Sequence, residues 1–305
     1  MPRFSLACDL RWEAPGSITI STTTVQTMSS TRFVQAARRG QTGIFYALLV
    51  TLLSGAVACG VNLFSINEDA SLGQQMDKEI RSNPAEYPIL NNEAVRGQLQ
   101  RIVDQIVQAP DIKYRGKFPY TVTVINDDKT INAFATPGGY VYVYTGLLRF
   151  LDNEATLAGV LAHEVAHAEE RHGTEHMTQS LGVDIALQIA LGNNPSRLAQ
   201  IAGNAGALLA LMRNSRQDEL EADTRSFQYL RSTPYWPGSI RYFFEKMQQG
   251  GGRQASVLEQ WTSTHPTDQS RVDNINTLLR ENQIPAPTPT TLKTDSYRTL
   301  LQNLR

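Results

Sequence analysis

Cysteine is nearly absent from this 305-residue chain, which has only Cys8 and Cys59. Two cysteines close at most one intrachain bridge, so a disulfide-framed fold is excluded. An excess of charge is missing too. Lys and Arg number 28, Asp and Glu 29, and the formal net charge is −1. A nucleic-acid binder shows a basic face with aromatics nearby; this chain has neither, and no nucleic-acid partner is expected. No internal repeat is visible. Long apolar runs are also missing beyond residue 64. Two Ala/Leu-rich stretches, 177–191 and 196–212, are broken by Gly192-Asn193-Asn194-Pro195. Each is short of the ~20 apolar residues that span a bilayer. They read as buried or amphipathic helices packing over a site. What is present is a chain 41% hydrophobic, enough for one domain with a substantial core or two small ones.

The N-terminus reads as a leader over 1–58. Residues 1–27 have no clear period. From Met28 come Arg32, Arg38 and Arg39, then an apolar run from Gly43 to Ala58. A basic stretch, a short apolar stretch and small residues at its end describe a secretory signal over 28–58. Met28 then reads as the start, leaving 1–27 and Cys8 outside the mature protein. The run ends Ala56-Val57-Ala58-Cys59, similar to a bacterial lipobox. Cys59 is the candidate lipidation site. Gly60 follows it, where retention in the inner membrane is associated with Asp, so an outer-membrane anchor facing the periplasm is expected. The alternative is an uncleaved anchor, with the apolar stretch extended to Phe64. Either way a membrane partner is expected through the N-terminus. A single catalytic domain is expected over 59–284. Pro285, Pro287 and Pro289 fall in a short polar stretch, so 285–305 reads as an extended tail.

Within the domain, 67–81 and 92–108 carry helical stripes: Leu72, Met76 and Ile80 in the first, Val95, Leu99, Ile102, Val103 and Ile106 in the second. Pro110 stops the second. The period then changes. Residues 120–125, 131–136 and 140–144 are β-branched and aromatic and read as strands, with Pro137-Gly138-Gly139 as a turn. Asp152 or Asn153 can cap a helix that runs through His163-Glu164-Val165-Ala166-His167. Another helix is expected over 215–230, and a flexible joint at 250–252. The fold class is α+β: mostly helical, with a small sheet beside the helix of the His-Glu motif.

Four residues of helix turn the chain by about 400° and rise about 6 Å. His163 and His167 therefore face the same way, one above the other, as two ligands of a tetrahedral zinc ion do. Glu164 stands beside the first and can take a proton from a water that the metal activates. The competing reading is a solvated helix face with two surface histidines. It fits poorly, because 155–168 is Ala, Leu, Val and Gly apart from the motif and Thr156. Such a helix is bound for burial, and polar groups on it need a reason. A third ligand is needed. In Glu219-Leu220-Glu221-Ala222-Asp223 the first and last share a face, and Glu221 points nearly the opposite way. Glu219 is assigned to the metal. Asp223 is placed to accept a hydrogen bond from the outer nitrogen of a ligand histidine. If the helix continues, His172 lies about 180° from His163 and His176 about 220°, so neither joins the same metal. His265, before Pro266 and after the joint, is a loop residue able to swing toward the site. One Zn2+ per chain is expected.

With these residues assembled, the chain resembles the gluzincin metallopeptidase family of the CAAX prenyl protease and HtpX, in its soluble periplasmic branch of BepA-like and LoiP-like proteins. The likeness covers about residues 65–279. It rests on Asn67-Glu68-Asp69 with Leu72-Gly73, Asn132-Ala133-Phe134-Ala135 with Pro137-Gly138-Gly139, and the His-Glu motif. Arg171-His172, Ser215-Arg216 with Glu219 to Asp223, and His265-Pro266 with Arg271 complete it. The resemblance implies a zincin-like fold, with His163, His167 and Glu219 on zinc and Glu164 as general base. His265 would be a movable catalytic group that caps the metal or steadies an oxyanion. The strand with Asn132, Ala133 and Phe134 would be an edge that pairs with extended protein substrates. Two departures stand out. There is no clear transmembrane helix beyond the leader, unlike the integral branch, and no tetratricopeptide array follows. The implied activity is hydrolysis of misfolded or stalled envelope proteins. The alternative is a non-proteolytic chaperone or assembly factor using the same groove.

Overall fold

The computed structural model of the chain describes residues 62–181, 205–249, 261–262, 264–266 and 269–304. The leader with Cys8, Met28 and Cys59, the break at 192–195 and the joint at 250–252 lie outside the described residues. Helix α1 (Ile66–Ser82) starts on a capping box. Ser65 Oγ accepts from Glu68 N, and the Glu68 carboxylate accepts from Ser65 N. It buries the expected Leu72, Met76 and Ile80. Helix α2 (Glu93–Ile106) is capped by Asn92 and buries Val95, Leu99, Ile102, Val103 and Ile106.

Strands β1 (Thr121–Ile125), β2 (Ala133–Thr136) and β3 (Tyr140–Tyr144) form one sheet in the order β1-β3-β2. β1 runs parallel to β3, with Thr123 opposite Tyr142. β2 runs antiparallel to β3, with Phe134 opposite Tyr142. The β2–β3 turn uses Gly138 and Gly139 at φ 76° and 80°, where a side chain would be strained. Among the described residues β2 pairs only with β3, so it is an edge. Gly73 of α1 lies directly beneath this turn: a Cβ there would meet Pro137 O at 1.8 Å.

After the short helix α3 (Thr145–Phe150), Asn153 caps α4 (Glu154–Glu170), its Oδ1 accepting from Thr156 N at 2.8 Å. Every residue from Glu154 to Glu169 is buried. A helix apolar nearly all round belongs in the middle of a core. Around α4 pack α2, the sheet, α7 (Arg216–Leu230) and α8 (Ile240–Gln249). α4 ends at Arg171, whose left-handed φ of 64° turns the chain into α5 (His172–Leu181). The remaining helices among the described residues are α6 (Ala205–Leu211), α9 (Gln269–Glu281), α10 (Pro289–Leu292) and α11 (Thr294–Asn303). The fold is thus α+β, mostly helical, with one three-stranded sheet among the described residues. Among the described residues no helix is long and apolar enough to cross a membrane.

One expectation is corrected here. Over residues 285–304 the chain is not an extended tail. Thr288 caps α10, and Pro289 takes its first position, where a missing N–H costs nothing. α11 then buries Tyr297 and Leu300, and Tyr297 Oη donates to Leu148 O at 2.5 Å. Ser296 and Tyr235 donate to the buried Glu154 at the head of α4, as does Gln98.

Candidate active site

α4 and α7 set the site between them. His163 and His167 lie one turn apart on α4, and their Nε2 atoms approach to 3.0 Å. From α7, Glu219 brings Oε2 to 3.4 Å from His163 Nε2 and Oε1 to 3.3 Å from His167 Nε2. His265 adds Nδ1 at 3.0 Å from Glu219 Oε1. All four side chains are buried, and one donor atom of each lies within 4.8 Å of the others. A tetrahedral ion with bonds of ~2.0–2.1 Å holds its donors ~3.3–3.4 Å apart, so this set can hold a metal. Glu164 stands next to it. Its Oε1 makes no hydrogen bond and lies 3.6 Å from His265 Nε2, which is also without one. Buried polar atoms without partners mark a place for a ligand.

The outer nitrogens are held from behind. His163 Nδ1 lies 2.9 Å from Asp223 Oδ1, one helical turn past Glu219. His167 Nδ1 lies 2.8 Å from His172 Nδ1, so one ring donates and the other accepts. The helix is therefore interrupted before His172, and the half-turn separation of His172 from His163 does not hold. The left-handed Arg171 folds His172 back onto His167. His172 still is not one of the four clustered donors. Arg171 itself bonds Asp69 and Phe64 O, tying the end of α4 to the start of α1. His176 points elsewhere and meets Asp218 Oδ2 at 2.6 Å.

Arg271 of α9 bridges the carboxylates. Its Nη1 lies 2.6 Å from Glu219 Oε2, and its Nε and Nη2 each donate to Asp223 at 2.7 Å. Two buried carboxylates, Glu219 and Asp223, thus share one buried guanidinium, and Glu164 is buried with them. The titrations follow. Burial opposes a charge on His163, but hydrogen bonds to Asp223 and Glu219 outweigh it and lift the imidazole to about 9. Burial, helped by the neighbouring His163, pushes His167 well below its ordinary value. Burial raises the Glu164 carboxyl, the direction a general base working near neutrality needs. A bound dication would take over the positive charge that His163 otherwise carries, because imidazoles ligate in the neutral form.

A cavity of about 440 Å³ opens onto Glu164, His167 and His265. Asn132, Phe134, Ala135, Thr136 and Pro137 form one wall; Leu209 and Ala210 of α6, with Met212, form another. Of the expected substrate-binding residues, Asn132 and Phe134 line it. Ala133 does not: its side chain is buried in the main core, and its N–H already donates to Asn132 Oδ1 at 2.9 Å. Asn214 lines the cavity as well and had no role in the sequence reading. Neither had Arg271 beyond the family likeness, and no local pattern links a residue at 271 to carboxylates 48 and 52 positions away.

A helix-borne set of side chains able to hold a metal, opening onto an edge strand, is the arrangement of a metallopeptidase. Residues 93–279 match the model of peptidase family M48, and the chain belongs to that family. It is 28% identical over 225 residues to the mitochondrial metalloendopeptidase OMA1 of Schizosaccharomyces pombe, covering 73% of this chain and 64% of that one. It is 28% identical over 220 residues to the beta-barrel assembly-enhancing protease of Escherichia coli, covering 68% and 44%. Metalloprotease LoiP of Escherichia coli is 31% identical over 153 residues, covering 48% and 58%. The chain therefore spans between about two fifths and just under two thirds of the length of these relatives.

Proposed function

We propose that this chain is a zinc-dependent endopeptidase of the bacterial cell envelope, acting on misfolded or stalled periplasmic and outer-membrane proteins. The observation that carries the reading is the convergence of His163, His167 and Glu219 beside Glu164, whose Oε1 has no hydrogen-bond partner, with His167 and Glu164 opening onto a cavity walled by β2. His163, His167 and Glu219 would hold the ion. Zinc, when bound, supplies a Lewis acid that polarises a carbonyl and makes water a better nucleophile. The chain's own groups do the rest. Glu164 takes the proton from the attacking water and delivers it to the leaving amine. Asp223 and His172 keep the two imidazoles turned toward the ion. The free edge of β2 pairs with the main chain of an extended substrate, which gives binding tolerant of sequence.

The envelope address is supported by the leader pattern and by relatives whose names include a beta-barrel assembly-enhancing protease. Anchoring is assigned to lipid on Cys59. A Cys59→Ser variant should lose acyl labelling and leave the membrane fraction; a variant that keeps both would remove the assignment. For the activity, casein digestion by the wild type should stop with a chelator and return with zinc. Glu164→Gln should digest at least ~10²-fold more slowly. Equal rates would refute the mechanism, and binding of unfolded protein without cleavage would favour the chaperone reading.

A further inference from the structure

We propose that Asn214 is the hydrogen-bond donor to the oxygen of the scissile carbonyl as charge develops on it. This rests on the endopeptidase reading and adds a residue to it. Asn214 directly precedes Ser215, the cap of α7, so its position is tied to the helix that carries Glu219. That cap is closed both ways: Ser215 N donates to Asp218 Oδ2 at 2.6 Å, and Asp218 N donates to Ser215 Oγ at 3.2 Å. His176 braces Asp218 from α5.

The Asn214 amide nitrogen reaches two atoms of the cluster. It is 3.2 Å from His167 Nε2 and 3.5 Å from His265 Nδ1. His163, His167 and Glu219 would hold an ion, and His265 Nδ1, 3.0 Å from Glu219 Oε1, is the fourth clustered donor. With an ion held, the lone pair of His167 Nε2 would be committed and would no longer accept from Asn214. The amide would then be free to donate in the space beside His265 Nδ1. A substrate carbonyl oxygen that takes the place of His265 Nδ1 would fall within its reach, and such donors commonly tighten from apo distances as the reacting complex forms.

The chemistry suits an amide. It donates without adding a positive charge that would compete with the cation, and it stays neutral at every working pH. Glu164 and Asn214 also lie at opposite ends of the His265 ring, one near Nε2 and the other near Nδ1. The two can therefore act on different atoms at once. As water oxygen bonds to the carbonyl carbon, one water proton passes to Glu164. The carbonyl π pair moves onto its oxygen, where Asn214 donates. As the C–N bond breaks, the pair returns to form the new carboxyl carbonyl, and the proton leaves Glu164 for the amine.

The test uses the full chain loaded with zinc, as wild type, Asn214→Ala and Asn214→Leu. Leu fills the same space without a donor. Both variants should retain one metal per chain, keep KM within ~3-fold and lose kcat by about 10²–10³-fold, as for loss of one oxyanion donor. A second readout needs no turnover. A phosphinic peptide, which carries a tetrahedral anionic oxygen, should bind the variants weaker by a similar factor. The intact peptide should bind Glu164→Gln equally well with and without the Asn214 change. An unchanged kcat, equal losses for both peptides, or loss of the metal together with activity would each overturn the assignment, the last because Asn214 would then act through His167. A wild type that shows no chelator-sensitive cleavage would instead overturn the endopeptidase reading, and this inference with it.

Discussion

Replacing Arg271 with Leu removes the one guanidinium shared by Glu219 and Asp223 while keeping an apolar stem against Phe244, over whose ring the guanidinium lies at 4.3 Å. The change breaks contacts of 2.6 and 2.7 Å among side chains that are at most 2% exposed. Removing one partner of a buried ion pair costs about 3–5 kcal/mol, because the other charge stays behind uncompensated. In a domain of this size each kcal/mol moves the melting midpoint by about 2–4 °C, so the variant should melt about 6–20 °C below wild type in chelator. A bound dication would supply positive charge to Glu219 directly, while on the Asp223 side it would replace the charge that His163 otherwise carries. The gap should therefore narrow when zinc is added, and zinc should stabilise the variant more than the wild type. Thermal melts of both proteins with chelator and with zinc give all four values. A variant within ~2 °C of wild type in chelator would refute the charge accounting. An equal gap in both conditions would show that ion and guanidinium do not share the carboxylates.

Two further predictions concern the frame of the site. Gly73→Ala sets a Cβ where Pro137 O stands at 1.8 Å, so the β2–β3 turn must shift. Overpacking of this kind costs about 1–3 kcal/mol; melting should show it, and casein digestion should fall with metal content unchanged. His176→Gln tests the brace on Asp218. Contact with Asp218 raises His176 above its usual 6.5 against the effect of burial. Burial would raise Asp218, but His176 and the Ser215 bonds outweigh it and bring Asp218 to about 2. The histidine's contribution is full below 6.5 and is lost as pH climbs through its raised value. The aspartate's is full above 3.8 and is lost as pH falls through about 2. The stability gap between wild type and His176→Gln should be widest at roughly pH 4 to 6.5 and close at higher pH. Melts from pH 5 to 9 with a constant gap would contradict this.

Local chemistry was legible in the sequence wherever it is local. The cap at Asp152 or Asn153, which the structure gives to Asn153, the stripes of α1 and α2, and the β-branched runs of β1 and β3 depend on neighbours a few positions away. The pairs His163/His167 and Glu219/Asp223 needed only the helical repeat. What escaped depends on partners far along the chain. Nothing near Arg171 announces a helix end there; a residue other than glycine in the left-handed region is held by Asp69, 102 positions earlier. A helix continued past that end puts His172 on the far face, whereas the break brings it onto His167. The prolines at 285–289 carry the opposite lesson. The same residue type opens a helix or forbids one according to whether a cap precedes it, and Thr288 was that cap. Asn214 gave no signal because its meaning comes from His167 and His265, 47 and 51 positions away.

Helix α1 touches both halves of the cleft. Gly73 rests under the turn that ends β2, and Asp69 grips Arg171 at the end of the helix that bears the histidines. Tyr142 Oη donates to Asp77 at 2.7 Å and Arg81 donates to Thr123 at 2.6 Å, so the same helix grips the sheet along its length. It works as a caliper between the strand that would hold a substrate and the donors that would cut it. Loss of activity from a change in α1 is therefore no sign that the altered residue takes part in the reaction. It reports a lost spacing, and a mutational map of this chain would read falsely unless melting and metal content were measured beside every rate.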